Sequence, residues 1–163
     1  MSTNQEAIER AKAEFLRAKQ GLARALATTP DDRLNWSPSP TARTPVELVG
    51  HAAGAIRSLH ETLDGRTPQF GGPAEADRYF REIDKHFTSR EQVLGMLEEN
   101  SAAYIAWLDA LTPERLNSMV ELPFGFGQIP VAIGITLVPG HTNGHTAQLE
   151  YIQTIYGDRD WHV

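Results

Sequence analysis

Four segments of this chain repeat apolar residues every three or four positions, which is the period of one face of an α-helix. The first segment predicts a helix that ends before Pro30, with a buried face formed by Ile8, Ala11, Phe15, Ala18, Leu22 and Leu26. Strand patterns are weak everywhere except in the short SMVELPF stretch at 118–124. Because amphipathic helices bury their apolar faces against one another, the sequence predicts an all-α four-helix bundle, with 1–163 as a single domain.

The second helix has a well-marked start. Thr44 is a capping residue, Pro45 suits the first helical position, and Glu47 can return a hydrogen bond to the cap. After this helix stops at the DGRTP stretch, a long connection over 64–88 leaves room for a short surface helix around Tyr79. The third helix begins at Thr88 or Ser89, and a connection of this length suggests either a crossover or a functional lid.

The fourth helix is predicted from Pro130 to Tyr156, with Pro139 inside it. A proline there either kinks the helix or breaks it, with a new helix starting at the proline. The spacing predicts one inward-facing side for the following residues: His141, His145, Gln148 and Ile152, flanked by Val138, Leu149 and Ile155.

His141 and His145 lie four positions apart on that side, so their imidazoles are neighbours on one helical face. Buried imidazoles need partners, and a divalent cation can satisfy both rings at once. The alternative is a pair of hydrogen-bonded core or surface histidines. His51 is the best third ligand, because it lies at the edge of the apolar stripe of the second helix, beside small residues.

The remaining histidines fit a metal site less well. His60 projects nearly opposite His51, and His86 lies in the crossover, so both are predicted to be solvated surface residues. His162 is close to the end of the sequence and could lie over the site.

Polar and aromatic residues near these histidines are candidates for supporting roles. Gln148 and Glu47 are candidate catalytic or orienting groups, although Glu47 also fits a capping box and Gln148 a core hydrogen bond. The PFGFGQ loop at 123–128 contains Phe124 and Phe126, which could cover the site or plug the bundle end. Further aromatic residues are candidates for a pocket wall or for the core: Trp36, Tyr104 and Trp107.

Composition excludes several classes of function. The sequence has no cysteine, which rules out disulfides, thiolate ligands and a cysteine nucleophile. A formal net charge of -6 provides no broad attraction for nucleic acid or anionic lipid. The polar N-terminus and the lack of a long apolar run predict a cytoplasmic protein with no membrane segment.

Two motifs resemble the DinB-like (YfiT-like) superfamily: LNWSPSPTARTPVELVGHAAGAI at 34–56 and HTNGHTAQLEYI at 141–152. The resemblance implies a four-helix bundle with a long crossover between the second and third helices, and a metal site of three histidines, which match His51, His141 and His145. Many members carry an arginine directly after the last histidine, where this chain has Thr146.

Three imidazole ligands leave a coordination position open on a divalent metal, with zinc favoured and nickel, iron or cobalt as alternatives. The sequence therefore predicts a metal-dependent small-molecule enzyme, either a thiol-dependent S-transferase or a hydrolase. Its partners would be a small-molecule substrate, such as a low-molecular-weight thiol, and a second copy in a homodimer. The alternative is a non-catalytic bundle with a structural or adventitious metal that acts as a binding or dimeric interaction protein.

Overall fold

The computed structural model describes residues 3–162, with side chains from residue 4 onward. Its α-helices are α1 (Thr3–Thr28), α2 (Pro45–Leu63), α3 (Pro73–Asp84), α4 (Arg90–Asp109), α5 (Pro113–Asn117), α6 (Val131–Gly134) and α7 (Leu137–Ile155). Its strands are β1 (Met119–Glu121) and β2 (Gln128–Pro130), and short 3-10 turns occupy Asp31–Arg33 and Pro123–Gly125.

The four long helices α1, α2, α4 and α7 form the bundle, with α2 packed against α4 and α7, and α1 packed against α7. The apolar face predicted for α1 is buried along its whole length. Phe15 in α1 meets Tyr104 of α4 edge to face, with ring centroids 4.9 Å apart. The all-α four-helix bundle expected from the periodicity is confirmed.

The start of α2 is set by the capping box that the sequence predicts. The Thr44 hydroxyl accepts a hydrogen bond from the Glu47 backbone N–H at 3.3 Å, and Glu47 Oε2 accepts one from the Thr44 N–H at 2.9 Å. Two otherwise unpaired N–H groups at the helix start are thereby satisfied. Since the first turn is set, so is the face on which His51 lies two turns later.

The crossover contains α3, at the place where the sequence predicts a short helix. The end of the crossover, after α3, packs closely on α2. A Cβ added to Gly50 of α2 would lie only 2.2 Å from Cδ2 of the Phe87 ring. Arg81 donates a hydrogen bond to the Thr41 carbonyl at 2.9 Å, which ties α3 to the loop before α2. After the crossover, α4 begins with Ser89 as its cap, one of the two predicted starts.

Of the two outcomes predicted for the helix from Pro130 to Tyr156, a kink or a break at Pro139, the structure has the break, with the new helix beginning at Leu137, two residues before the proline. The helix breaks between Gly134 and Leu137, and Pro139 lies in the first turn of α7, where a missing N–H costs little. Proline cannot donate to the carbonyl of Ile135, and that carbonyl instead accepts a hydrogen bond from the Tyr104 hydroxyl at 2.9 Å. A side chain of α4 therefore replaces the lost backbone hydrogen bond.

The SMVELPF stretch forms one side of an antiparallel hairpin. Val120 of β1 pairs with Ile129 of β2, and the PFGFG segment forms the tip. Phe124 at this tip has a positive φ of 63°, which is uncommon for a residue other than glycine. The hairpin confirms the local strand signal in an otherwise helical chain.

Across residues 3–162, every helix is too short or too polar to cross a bilayer.

Candidate metal centre

Three histidine side chains converge between α2 and α7. His51 comes from α2, His141 and His145 come from α7, and one ring nitrogen from each lies within 4.8 Å of the other two. The Nε2 atoms of His141 and His145 are 3.3 Å apart. Two nitrogens bound to one tetrahedral zinc ion at about 2.05 Å would also be about 3.3 Å apart. The imidazoles therefore fit a divalent metal in both chemistry and spacing.

Two outer hydrogen bonds orient the rings. Nδ1–H of His51 donates to Oδ2 of Asp84 at 3.1 Å, and Nδ1–H of His145 donates to Oε1 of Gln148 at 2.8 Å. A proton on Nδ1 leaves Nε2 as the nitrogen with a free lone pair. Such outer partners are typical of metal-binding histidines, because they set both the tautomer and the ring orientation.

Sequence reasoning missed Asp84 altogether. This residue ends α3, is 3% exposed, and also accepts a hydrogen bond from Nε of Arg43 at 2.8 Å. The Asp84 carboxylate thus connects the crossover to Arg43 in the loop before α2 and to His51 in α2, through hydrogen bonds that are largely buried. A negative charge in the last turn of a helix interacts unfavourably with the helix dipole. An acidic residue at this position was therefore the sequence feature that could have marked Asp84 as a candidate.

Burial keeps the α7 histidines neutral at physiological pH. The pKa of His141 is lowered to about 4, mainly by burial and further by the nearby His145, His51 and Arg43. Burial also lowers the pKa of His145, against the opposing effect of its hydrogen bond to Gln148. Neutral imidazole is the form that binds a metal, so little proton competition is expected at neutral pH.

The predicted inward face of α7 was partly wrong. Gln148 and Ile155 are exposed, whereas Thr142, Thr146 and Gln153 are buried. Threonine can be buried there because its hydroxyl bonds within the helix: Thr142 Oγ1 donates to the Val138 carbonyl at 2.9 Å. Gln148 bonds to His145 from the rim of the site.

The other predicted site residues lie elsewhere or have other partners. The Glu47 carboxylate is held in the capping box. His60 is partly buried against Trp107, with ring centroids 5.1 Å apart, so the expectation of a solvated His60 was wrong. His86 is exposed, as predicted. His162 bonds to Asp158 at 2.9 Å and lines a separate cavity, so it does not cover the histidines.

A cavity of about 840 Å³ opens beside the centre, and His51 and His141 contribute to its lining. Its walls come from α2, α4, the crossover and the hairpin tip. Phe124 of the hairpin tip lines this cavity, whereas Phe126 is 69% exposed. Trp36 instead packs edge to face on Tyr156. The cavity is large enough for a drug-sized molecule.

Two aromatic candidates from the sequence belong to the core rather than to the cavity. Tyr104 is fully buried, and Trp107 packs against the core and donates from Nε1 to Oδ1 of Asp64 at 3.0 Å.

Comparison with protein families gives a match to the model described as DinB superfamily, over residues 14–149. No curated protein matches the chain. Among solved structures, the chain is similar to YfiT from Bacillus subtilis, with a TM-score of 0.74 and 18% identity, covering 96% of this chain and 90% of that one. YfiT is described as a probable metal-dependent hydrolase with an unusual four-helix bundle topology.

Two further structures share the fold. A mycothiol-dependent maleylpyruvate isomerase matches with a TM-score of 0.68 and 14% identity, over 91% of this chain and 63% of that one, so this chain spans less than two thirds of the isomerase. The colibactin self-resistance protein ClbS, solved in complex with double-stranded DNA, matches with a TM-score of 0.63 and 17% identity, over 94% of this chain and 97% of that one. At these identities the likeness extends to the fold alone.

Proposed function

Since this chain belongs to the DinB superfamily, we propose that it is a metal-dependent enzyme that acts on a small molecule. The observation that carries the proposal is the 3.3 Å spacing of the His141 and His145 nitrogens at the edge of the 840 Å³ cavity. His51, His141 and His145 would hold the metal through Nε2. Zinc is the first choice, with nickel, iron or cobalt as alternatives.

The residues around the histidines support a catalytic centre rather than a closed structural one. In the part of the chain described, the cluster that could hold an ion contains three residues, all histidines. Three protein ligands leave a coordination position for water or substrate. A metal bound there would supply Lewis acidity, which suits activation of either water or a thiol.

The protein side chains do the remaining work. Asp84 and Gln148 hold two of the rings by their Nδ1–H groups, so the Nε2 lone pairs stay aimed at one point. Arg43 balances the charge of the buried Asp84 carboxylate. A substrate bound in the cavity would displace water from this edge of the centre, which would strengthen electrostatic interactions inside it.

Hydrolysis and thiol-dependent transfer remain the two reaction types within this proposal. The likeness to YfiT, a probable metal-dependent hydrolase, supports the first, and the likeness to a mycothiol-dependent isomerase supports a reaction that needs a thiol. A screen of the metal-loaded protein with bacillithiol, mycothiol and glutathione against electrophiles separates them. Turnover that requires a thiol indicates transfer, and turnover in water alone indicates hydrolysis.

The decisive experiment is metal analysis of protein made without an affinity tag, for the wild type, His141→Ala and the exposed control His86→Ala. We expect the wild type and His86→Ala to bind about one divalent ion per chain, and His141→Ala to lose it while keeping its helical circular dichroism. Unfolding of His141→Ala would instead indicate a structural ion and a non-catalytic bundle. Absence of metal from the wild type after reloading would refute the proposal.

The small-molecule partner and the homodimer are also proposals. A net charge of -6 argues for a small molecule over nucleic acid. Exposed apolar residues on α6 and α7, such as Ile133 and Tyr151, support pairing with a second copy. Light scattering of the purified protein tests the dimer.

A further inference from the structure

A row of aromatic rings lines the cavity from the metal centre to the hairpin tip. The Phe80 centroid lies 5.9 Å from that of His51, Phe70 lies 5.8 Å from Phe80, and Phe124 lies 6.5 Å from Phe70. We call Phe70, Phe80 and Phe124 the aromatic wall. All three rings line the cavity. The wall therefore connects the crossover and the hairpin across one side of the cavity.

Phe124 adopts an unfavourable backbone conformation to join this wall. Its φ and ψ are 63° and 19°, in the left-handed region where a bulky side chain costs about 1–2 kcal/mol. Its ring lies nearly parallel to Phe70, with 29° between the planes. Strained residues of this kind concentrate at ligand sites, where the surrounding structure holds them in place.

The charged side chains of the cavity lining are mostly acidic: Glu61, Asp84 and Glu99 are carboxylates, whereas Arg57 is the one lysine or arginine among the lining residues described. Arg57, the cation of the lining, pairs with Glu61 at 3.0 Å, and Asn100 donates to the Ala53 carbonyl at 2.8 Å. A phosphorylated or strongly anionic ligand would meet this excess of negative charge, with one exposed arginine to offset it. Uncharged ligands avoid this repulsion, and aromatic rings gain offset or edge contacts with the wall.

We propose that this cavity binds a substrate whose body is an uncharged, planar aromatic group. The ring system packs against Phe70, Phe80 and Phe124, and its polar reactive group points to His51 and His141. The part of this inference that concerns the reaction rests on the proposed function, because the reactive group of the substrate would meet the metal held by the histidines at the end of the wall. The binding of the aromatic body, however, requires no metal.

The experiment measures binding of 2-naphthol to the metal-free protein by isothermal titration calorimetry, with 2-naphthyl phosphate as the charged analogue. The wild type is compared with Phe124→Gly, which removes the ring and relieves the backbone strain, and with Phe70→Leu. The control is Tyr151→Ala, because Tyr151 is an exposed aromatic residue of α7 that lies outside the cavity lining. Circular dichroism checks that each variant is folded.

We expect the wild type to bind 2-naphthol and to bind the phosphate more weakly. Phe124→Gly and Phe70→Leu should each lose about tenfold in affinity, while Tyr151→Ala keeps the wild-type value. No binding by the wild type, equal affinity in wild type and Phe124→Gly, an equal loss in Tyr151→Ala, or preference for the phosphate would overturn the inference. Metal binding is measured separately, so failure of the metal centre and failure of the aromatic site are distinguishable.

Discussion

Asp84, the last residue of α3, accepts a hydrogen bond from Nδ1 of His51, which lies 33 positions earlier in the chain. The carboxylate is buried and also paired with Arg43. The crossover is therefore part of the histidine centre, and its attachment to α2 controls the orientation of a proposed metal ligand.

The Asp84 carboxylate should strengthen metal binding through His51. We expect Asp84→Asn to weaken zinc affinity by about tenfold to a hundredfold, because a neutral amide makes His51 less basic and leaves Arg43 unbalanced. Competition with a chromophoric chelator measures the affinity. Glu82→Gln, an exposed change in the same helix, is the matched control. Unchanged affinity in a folded Asp84→Asn protein would show that the contact has no influence on the metal.

The metal-free protein should lose stability as the pH falls from about 6.5 to about 4. The pKa of His141 is lowered from 6.5 to about 4 in the folded state, and burial also lowers the pKa values of His145 and His60. In this window the unfolded chain binds more protons than the folded protein, so acidification favours unfolding. Urea denaturation in the presence of a chelator measures the effect.

The variant His141→Gln should reduce the pH dependence, since one lowered histidine pKa is removed. His86→Gln changes an exposed histidine and serves as control. If the free energy of unfolding of His141→Gln changed with pH as steeply as that of the wild type, the effect could not be assigned to His141.

The Tyr104 hydroxyl should stabilise the break between α6 and α7. Tyr104→Phe leaves the Ile135 carbonyl without its donor, and we expect a loss of about 1–3 kcal/mol in the free energy of unfolding. Pro139→Ala returns an N–H that can reach this carbonyl. A double-mutant cycle should therefore give a smaller loss for Tyr104→Phe in the Pro139→Ala background. Additive effects would argue against this shared acceptor.

Two glycines of α2 should respond oppositely to alanine. At Gly50 the new Cβ would lie 2.2 Å from the Phe87 ring, and overpacking should cost about 1–3 kcal/mol. At Gly54 nothing lies within 4 Å of the new Cβ, so Gly54→Ala should gain about 0.5–1 kcal/mol from helix propensity. Denaturant unfolding of both variants checks the pair. Equal effects would mean that Phe87 does not pack closely on α2.

Local sequence was sufficient for those features whose causes lie within one or two helical turns. The capping box at Thr44 and Glu47, the buried stripe of α1 and the adjacency of His141 and His145 all follow from spacing along a single helix. The choice of His51 as the third histidine came from its place at the edge of the α2 stripe and from the family resemblance.

Contacts between distant segments could not be predicted in this way. Asp84 reaches His51 where the end of the crossover packs on α2, with Phe87 against Gly50, and at the helix break a tyrosine of α4 supplies the donor that Pro139 lacks. Gln148 lies at the rim because buried threonines satisfy their hydroxyls within α7. These outcomes depend on which surfaces pack together and on which polar groups find partners after packing, and periodicity along the chain contains neither piece of information.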